Sequence, residues 1–303
     1  MIDQNKPTLV IMAAGMGSRY GGLKQIDGLG PHGETLMEYA IYDALSCGFG
    51  KVVFIIRKSM EVTFQEVFGE RLLSHIPYEL VFQELDHLPG GFESPAERVK
   101  PWGTAHAVWV CKDAVQSPFV VINADDFYGR EAYLNINQYF SENSDPLAYA
   151  MNAYQLDKTL SDFGSVTRGI CKVDENQQLR KVEEHLKLQR NALGFIESVL
   201  SDKTIIIAPE TPVSMNIWAF YPSVFDLLDE FLMGFLEQNI HELKAEAFTP
   251  AFVDAIVLNQ KARVQVLTSQ SKWFGVTYAD DKPIVQALLQ QLVAQGTYPS
   301  PLF

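Results

Sequence analysis

Four short, predominantly apolar runs mark the first half of the chain: Thr8 to Met12, Lys51 to Ile56, Glu79 to Gln83 and Phe119 to Asn123. Runs of this length predict strands buried on both faces. Between the first two, Thr35 to Cys47 sets Leu36, Ala40, Ile41, Ala44 and Leu45 on one helical face. Between the last two, Thr104 to Val115 predicts a second helix, with Thr104 available as its N-cap. Strands alternating with helices imply a parallel sheet covered by helices, so the expected fold class is α/β, Rossmann-like and mostly parallel, with helices on both faces. The second half is less regular. Ala148 to Tyr154, Ser165 to Val173, Leu179 to Glu183 and Val213 to Tyr221 predict strands, and Ser223 to Gln238 and Pro283 to Gln295 predict helices. The stripe Phe225, Leu228, Phe231, Leu232 and Phe235 is read as core packing.

Composition narrows the classes. At 303 residues with 47% hydrophobic content, the chain has apolar material for one large α/β domain. We expect a single domain over 1–303, in two halves at about 1–145 and 146–303. Cys47, Cys111 and Cys171 are odd in number and widely spaced, so no disulfide or metal pairing is expected and a reducing compartment is. The polar start Met1-Ile2-Asp3-Gln4-Asn5-Lys6 argues against a signal peptide, and no apolar run is long enough to span a bilayer, so the expected location is cytoplasmic, away from membranes. A formal net charge of −13 disfavours nucleic acid as a partner. An acidic protein holds a small anion only where backbone amides, local cations or a metal supply positive field. A glycine-rich loop bearing Arg and Lys is therefore informative.

Such a loop follows the first strand: Ala13-Ala14-Gly15-Met16-Gly17-Ser18-Arg19-Tyr20-Gly21-Gly22-Leu23-Lys24. It lacks the Gly-Lys-Ser/Thr ending of a Walker A loop. A dinucleotide loop wants glycine where Tyr20 stands, and an acid after the second strand where Arg57 and Lys58 stand, leaving only an NADP-type variant of that loop open. Gly-x-Gly-x-Arg followed by a lysine resembles the N-terminal motif of the sugar nucleotidyltransferases, the nucleotide-diphosphate-sugar pyrophosphorylase family. The resemblance implies that Gly15, Gly17, Ser18 and Arg19 wrap the triphosphate, that Ala14 is a further nucleotide contact, and that Arg19 and Lys24 are the catalytic cations.

Further segments extend it over most of the chain. Asp125-Asp126-Phe127-Tyr128-Gly129, at the end of the fourth strand, is similar to the family's metal-binding strand end, which implies Asp125 as an Mg²⁺ ligand and Asp126 as an outer-shell or substrate contact. Oxygen ligands at a strand end suit Mg²⁺ on a triphosphate. Gly103-Thr104-Ala105-His106-Ala107 resembles the element beneath the nucleobase, and Gln83 matches a glutamine that pairs with a pyrimidine edge, although an ordinary strand-end glutamine reads the same way. His106 is read as a packing or capping residue. Asp162-Phe163-Gly164-Ser165-Val166 and Arg180-Lys181-Val182-Glu183-Glu184 resemble sugar-contacting strands, which implies Gly164 and either Glu184 or Glu183, with Asn216 a further candidate.

Three positions depart from the family pattern. His185 replaces a sugar-phosphate lysine, leaving Lys187 or Arg168 for that work. Gly275 replaces a second metal acid in Trp273-Phe274-Gly275, so Asp281, or Asp280, becomes the candidate second ligand. The spacing between Arg19 and Lys24 is short, as in cytidylyl- and molybdopterin guanylyltransferases. The function implied is transfer of a nucleotidyl group from an NTP, UTP or dTTP, to a sugar 1-phosphate with release of pyrophosphate. A metal-dependent glycosyltransferase and a non-catalytic nucleotide-sugar sensor stand as alternatives. The base, the sugar and the oligomeric state are not legible.

Overall fold

The computed structural model describes residues 6–15, 28–200 and 203–303. Its centre is a parallel set of four strands in the order β4-β1-β2-β3, namely β1 (Thr8–Met12), β2 (Lys51–Ile56), β3 (Tyr78–Phe82) and β4 (Phe119–Asn123). Met12 registers with both Ile55 and Asn123, so the strands end at one level and their C-terminal ends open on one edge of the molecule.

Alternate side chains explain why these strands are apolar throughout. Leu9, Ile11, Val52, Phe54, Val120 and Ile122 join a core under α1 (Leu36–Ser46), α2 (Glu61–Phe68) and α4 (Arg130–Glu142). Val10, Val53, Ile55, Phe119 and Val121 join a second core under α3 (Thr104–Trp109), α5 (Val224–Asn239) and α6 (Thr249–Leu258). A strand packed on both faces has no solvent side on which to alternate. Helix α1 starts where expected because Thr35 and Glu38 form a reciprocal capping box, the Thr35 amide donating to the Glu38 carboxylate at 2.7 Å.

The sheet continues without a break into the second half. Strand β11 (Pro212–Phe220) runs antiparallel to β4 and carries β6 (Ala148–Gln155), β7 (Val166–Val173), β8 (Leu179–Arg190), β9 (Ile196–Leu200) and β10 (Lys203–Ile207) outward; β12 (Arg263–Thr268) pairs with β6. The four strands of the first half are thus parallel, and the second half extends them with mostly antiparallel strands, β12 alone among the described pairs of that half lying parallel to its neighbour β6. A two-residue ladder, β5 (Asp126–Phe127) against β13 (Phe274–Gly275), sits over the strand ends, and α7 (Asp281–Ala294) follows it. No helix among the described residues is long and apolar enough to cross a membrane.

Two local expectations change. The helix expected over 104–115 is regular only from Thr104 to Trp109, and its N-cap is Gly103 rather than Thr104. Gly103 has φ of +103°, and a Cβ there would meet Ala247 O at 2.4 Å and Ala247 N at 2.7 Å. The chain is stitched at that point to the segment before α6: Ala105 N donates to Ala247 O, Ala247 N to Trp102 O, and the Thr104 hydroxyl accepts from Thr249 N. Strand β8 also runs to Arg190, seven residues beyond the expected end at Glu183.

Candidate active site at the strand ends

A cleft of about 630 Å³ opens where the parallel strand ends meet the antiparallel half. Its walls include Thr104, Asp125, Asp126, Arg168, Glu184, Asn216, Trp273 and Gly275. Asp125 lies two residues past the end of β4, one strand from the start of the glycine loop, where Ala13 and Ala14 are buried and Gly15 is exposed. Gly17, Ser18, Arg19 and Lys24 lie outside the described residues.

A directional hydrogen-bond chain holds the cleft floor. The Trp218 indole N–H, which can only donate, points to Asn216 Oδ1 at 2.8 Å. That fixes the Asn216 amide, whose Nδ2 donates to Asn123 Oδ1 at 2.8 Å, and Asn123 Nδ2 then donates to Asp126 Oδ2 at 2.8 Å. Asn216 occupies the left-handed region at φ +64° in a bulge of β11. A non-glycine residue there costs on the order of 1 kcal/mol, which the network offsets.

Asp126 is paired across the small ladder with Gly275. A Cβ at Gly275 would lie 2.8 Å from Asp126 Oδ1, 3.3 Å from the Asp125 carbonyl and 3.3 Å from the Trp273 ring. The carboxylate of residue 126 therefore fills space that a side chain at 275 would take. Burial, then the charge of Asp125, pushes the Asp126 carboxyl up to about 7. Arg168 lies over the Trp273 ring at 4.9 Å, and burial lowers its guanidinium to about 10 against the pull of Asp126 and Asp281, so it stays charged at neutral pH. Among the described residues, the buried Trp273 indole N–H has no acceptor.

Alternation along β8 separates the two neighbouring glutamates. Val182 and Glu184 line the cleft, whereas Glu183 faces the other way, against Lys172, Lys181 and the buried His185. Gly164 lies outside the cleft wall under Tyr278, whose hydroxyl is 2.7 Å from where a Cβ at Gly164 would be. Asp281 accepts from the Thr277 and Tyr278 amides at 3.0 and 2.7 Å and from the Ser161 hydroxyl at 2.9 Å. Its oxygens thus tie the turn before α7 to Ser161, and Asp280 is the residue before that helix. Trp273, which opens the segment around Gly275, lines the cleft, as does Asp254, which accepts from Val182 N at 2.7 Å and carried no distinguishing sequence signal.

Gln83 and Gly103 lie at the far end of the same edge. The Gln83 amide nitrogen donates to Gly103 O at 3.0 Å and lies 3.2 Å from His106 Nδ1. His106 is fully buried, which pushes it down to about 4, so it is neutral in the fold. Between pH 6.5 and 4 the unfolded chain takes up a proton at this histidine that the folded chain refuses. Its contribution to stability is therefore present above pH 6.5 and lost as pH falls toward 4. Lowering the pH from 7 to 5 should cost the wild type about 2 kcal/mol more than His106→Asn. Urea melts of both proteins at the two pH values check this, and equal losses would contradict it.

A strand-end acid pair beside a glycine loop, on a parallel sheet with helices on both faces, defines a phosphate-handling α/β protein. The sequence profile of the nucleotidyl transferase family matches residues 8–281, and the chain belongs to that family. No curated protein matches it in sequence. Solved structures share its fold at low identity. The inositol-1-phosphate CTP transferase from T. maritima superposes with a TM-score of 0.60 at 12% identity, covering 95% of this chain and 98% of that one. A UDP-glucose pyrophosphorylase complexed with UDP-glucose gives 0.58 at 12% identity, covering 93% and 98%. A UTP-bound UGPase from Acinetobacter baumannii gives 0.57 at 14% identity, covering 96% and 98%.

Proposed function

We propose that the protein is a Mg²⁺-dependent nucleotidyltransferase that joins UTP or dTTP to a sugar 1-phosphate. The observation that carries this reading is the Asp125–Asp126 pair, backed by Gly275 and faced by Arg168, at the junction between the parallel strand ends and the antiparallel half. We read the chain as one domain whose two halves, about 1–145 and 146–303, each bind one substrate across this junction.

The acid pair fits Mg²⁺. The side-chain-free position at Gly275 leaves room for a second carboxylate next to Asp125, and Asp126 occupies that room. Asp281 is a poorer candidate than the sequence suggested, since its oxygens accept from Thr277, Tyr278 and Ser161. Among the described residues no group of three acidic, histidine or cysteine side chains gathers, which suits an ion that keeps several waters and phosphate oxygens. When bound, the ion neutralises charge on the triphosphate and on the leaving pyrophosphate.

The chain's own residues supply binding and orientation. The amides of Gly15, Gly17 and Ser18, with Arg19 and Lys24, hold the triphosphate, and Ala14, Gln83, Gly103 and Thr104 take the nucleoside. Glu184 and Asn216 face the sugar, with Gly164 and Glu183 the weaker candidates, and Arg168 meets its phosphate. A phosphate oxygen of the sugar phosphate attacks the α-phosphorus, the bond to the bridging oxygen breaks, and pyrophosphate leaves. Positioning and charge neutralisation suffice for such transfer. The test is pyrophosphate release with each common NTP against a panel of sugar 1-phosphates. UTP or dTTP should give the highest rate. A purine preference would overturn the base assignment.

A further inference from the structure

The hydrogen inventory around Gln83 determines which atom of its amide is left for a ligand. The backbone oxygen of His87 lies 2.7 Å from His106 Nε2, and a carbonyl only accepts, so the imidazole hydrogen is on Nε2. A neutral imidazole carries one hydrogen, which leaves a lone pair on Nδ1. The Gln83 atom 3.2 Å from that lone pair must then be the NH₂ group. Gly103 O, 3.0 Å from the same nitrogen and also an acceptor, demands the same orientation. Two independent acceptors therefore fix the amide one way round and use both its hydrogens. His106 is held for this by burial and by stacking on Trp109 at 5.7 Å between ring centres and 21° between planes.

Gln83 follows β3, three strands from β4 and Asp125 across β1 and β2. At about 4.8 Å per strand that is about 14 Å, room for a nucleotide laid along the strand ends with its base at Gln83. Resting on the reading above that Gln83 meets the base, we propose that His106 is a positioning residue that makes Gln83 an acceptor-only reader, selecting a base with an imide N–H and rejecting cytosine. Uracil and thymine carry N3–H between two carbonyls, a donor for Gln83 Oε1. Cytosine N3 has no hydrogen and sets lone pair against lone pair. Were the amide free to turn, its NH₂ would serve cytosine N3 equally well and the distinction would vanish.

The experiment measures UTP and CTP affinity by calorimetry with Mg²⁺ present, for the wild type, His106→Leu and His106→Asn, and the wild-type His106 tautomer by ¹⁵N NMR. The wild type should bind UTP about 10- to 100-fold more tightly than CTP. His106→Leu, which removes one of the two acceptors and leaves Gly103 O to hold the amide alone, should lower the ratio several-fold. His106→Asn, which keeps an oxygen close to the Nδ1 position, should retain most of it, and the wild-type ring should be protonated on Nε2. Equal wild-type affinities, failure of both nucleotides to bind, an unchanged ratio in His106→Leu, or a proton on Nδ1 would overturn the proposal. The tautomer measurement decides even if His106→Leu does not fold. A UTP preference without pyrophosphate release would sink the catalytic reading and leave this one standing.

Discussion

Asp125→Asn should lower Mg²⁺-dependent turnover about 100-fold or more, since changing even an outer-shell partner of a metal site costs 10- to 100-fold. The substitution keeps the size of the side chain and removes one formal charge at the end of β4, beside the buried Asp126. The fold should survive, because β4 is held by its register with β1 and β11 rather than by this side chain. Turnover measured against Mg²⁺ concentration, beside a thermal melt, separates the two effects. Near-wild-type turnover at the same Mg²⁺ concentration would remove Asp125 from the site.

The second large effect concerns the cross-strand pair Asp126–Gly275. Asp126→Asn should weaken binding of Mn²⁺ with UTP about tenfold or more, followed by electron paramagnetic resonance. Gly275→Asp should be worse than neutral, since its Cβ would stand 2.8 Å from Asp126 Oδ1 and add a third carboxylate. Overpacking of that kind costs about 1 to 3 kcal/mol before the charge repulsion is counted. The double variant Asp126→Ala/Gly275→Asp, which removes the side-chain oxygen that a Cβ at 275 would meet, should bind Mn²⁺ more tightly than Asp126→Asn, because the acid has crossed the ladder without changing the total charge. Wild-type Mn²⁺ affinity in Asp126→Asn would show that residue 126 does not serve the metal.

These predictions indicate where the sequence was informative. Thr8–Met12, Lys51–Ile56 and Phe119–Asn123 were legible to the residue because strands packed on both faces are apolar without interruption. Helix α4 was not, because only Ala132, Tyr133, Ile136 and Tyr139 of its thirteen residues are buried, too thin a stripe to stand out. Strands β9 and β10 form an outer hairpin in which Ile206 is exposed while Ser198 is buried beside Ile196, so apolar residues do not mark its inner face. Regarding the site, Asp125, Glu184, Asn216 and Thr104 could be named from motifs, and the structure gathers them on one cleft. The choice between Glu183 and Glu184 needed the facing of β8, which two adjacent identical residues cannot reveal. Asp281 drew attention as an acid near a missing acid, yet its oxygens accept from the Thr277 and Tyr278 amides in the turn before α7 and from the Ser161 hydroxyl. The contact between Gly275 and Asp126 was invisible because the two residues lie 149 positions apart and meet only through a two-residue ladder. His106 was legible as a packing residue, but its hydrogen bonds to Gln83 and to the His87 carbonyl were not, since those partners lie 23 and 19 positions away.

The central claim is that the chain transfers a nucleotidyl group to a sugar phosphate, and isotopic labelling tests it most directly. UTP carrying label either on the α- or on the γ-phosphate is incubated with Mg²⁺, the enzyme and the best sugar 1-phosphate from the panel. The account predicts that α-label moves into a nucleotide sugar and γ-label into pyrophosphate, in equal amounts and only when both substrates are present. Label remaining in intact UTP with every sugar 1-phosphate, or appearing as inorganic phosphate instead of pyrophosphate, would contradict it.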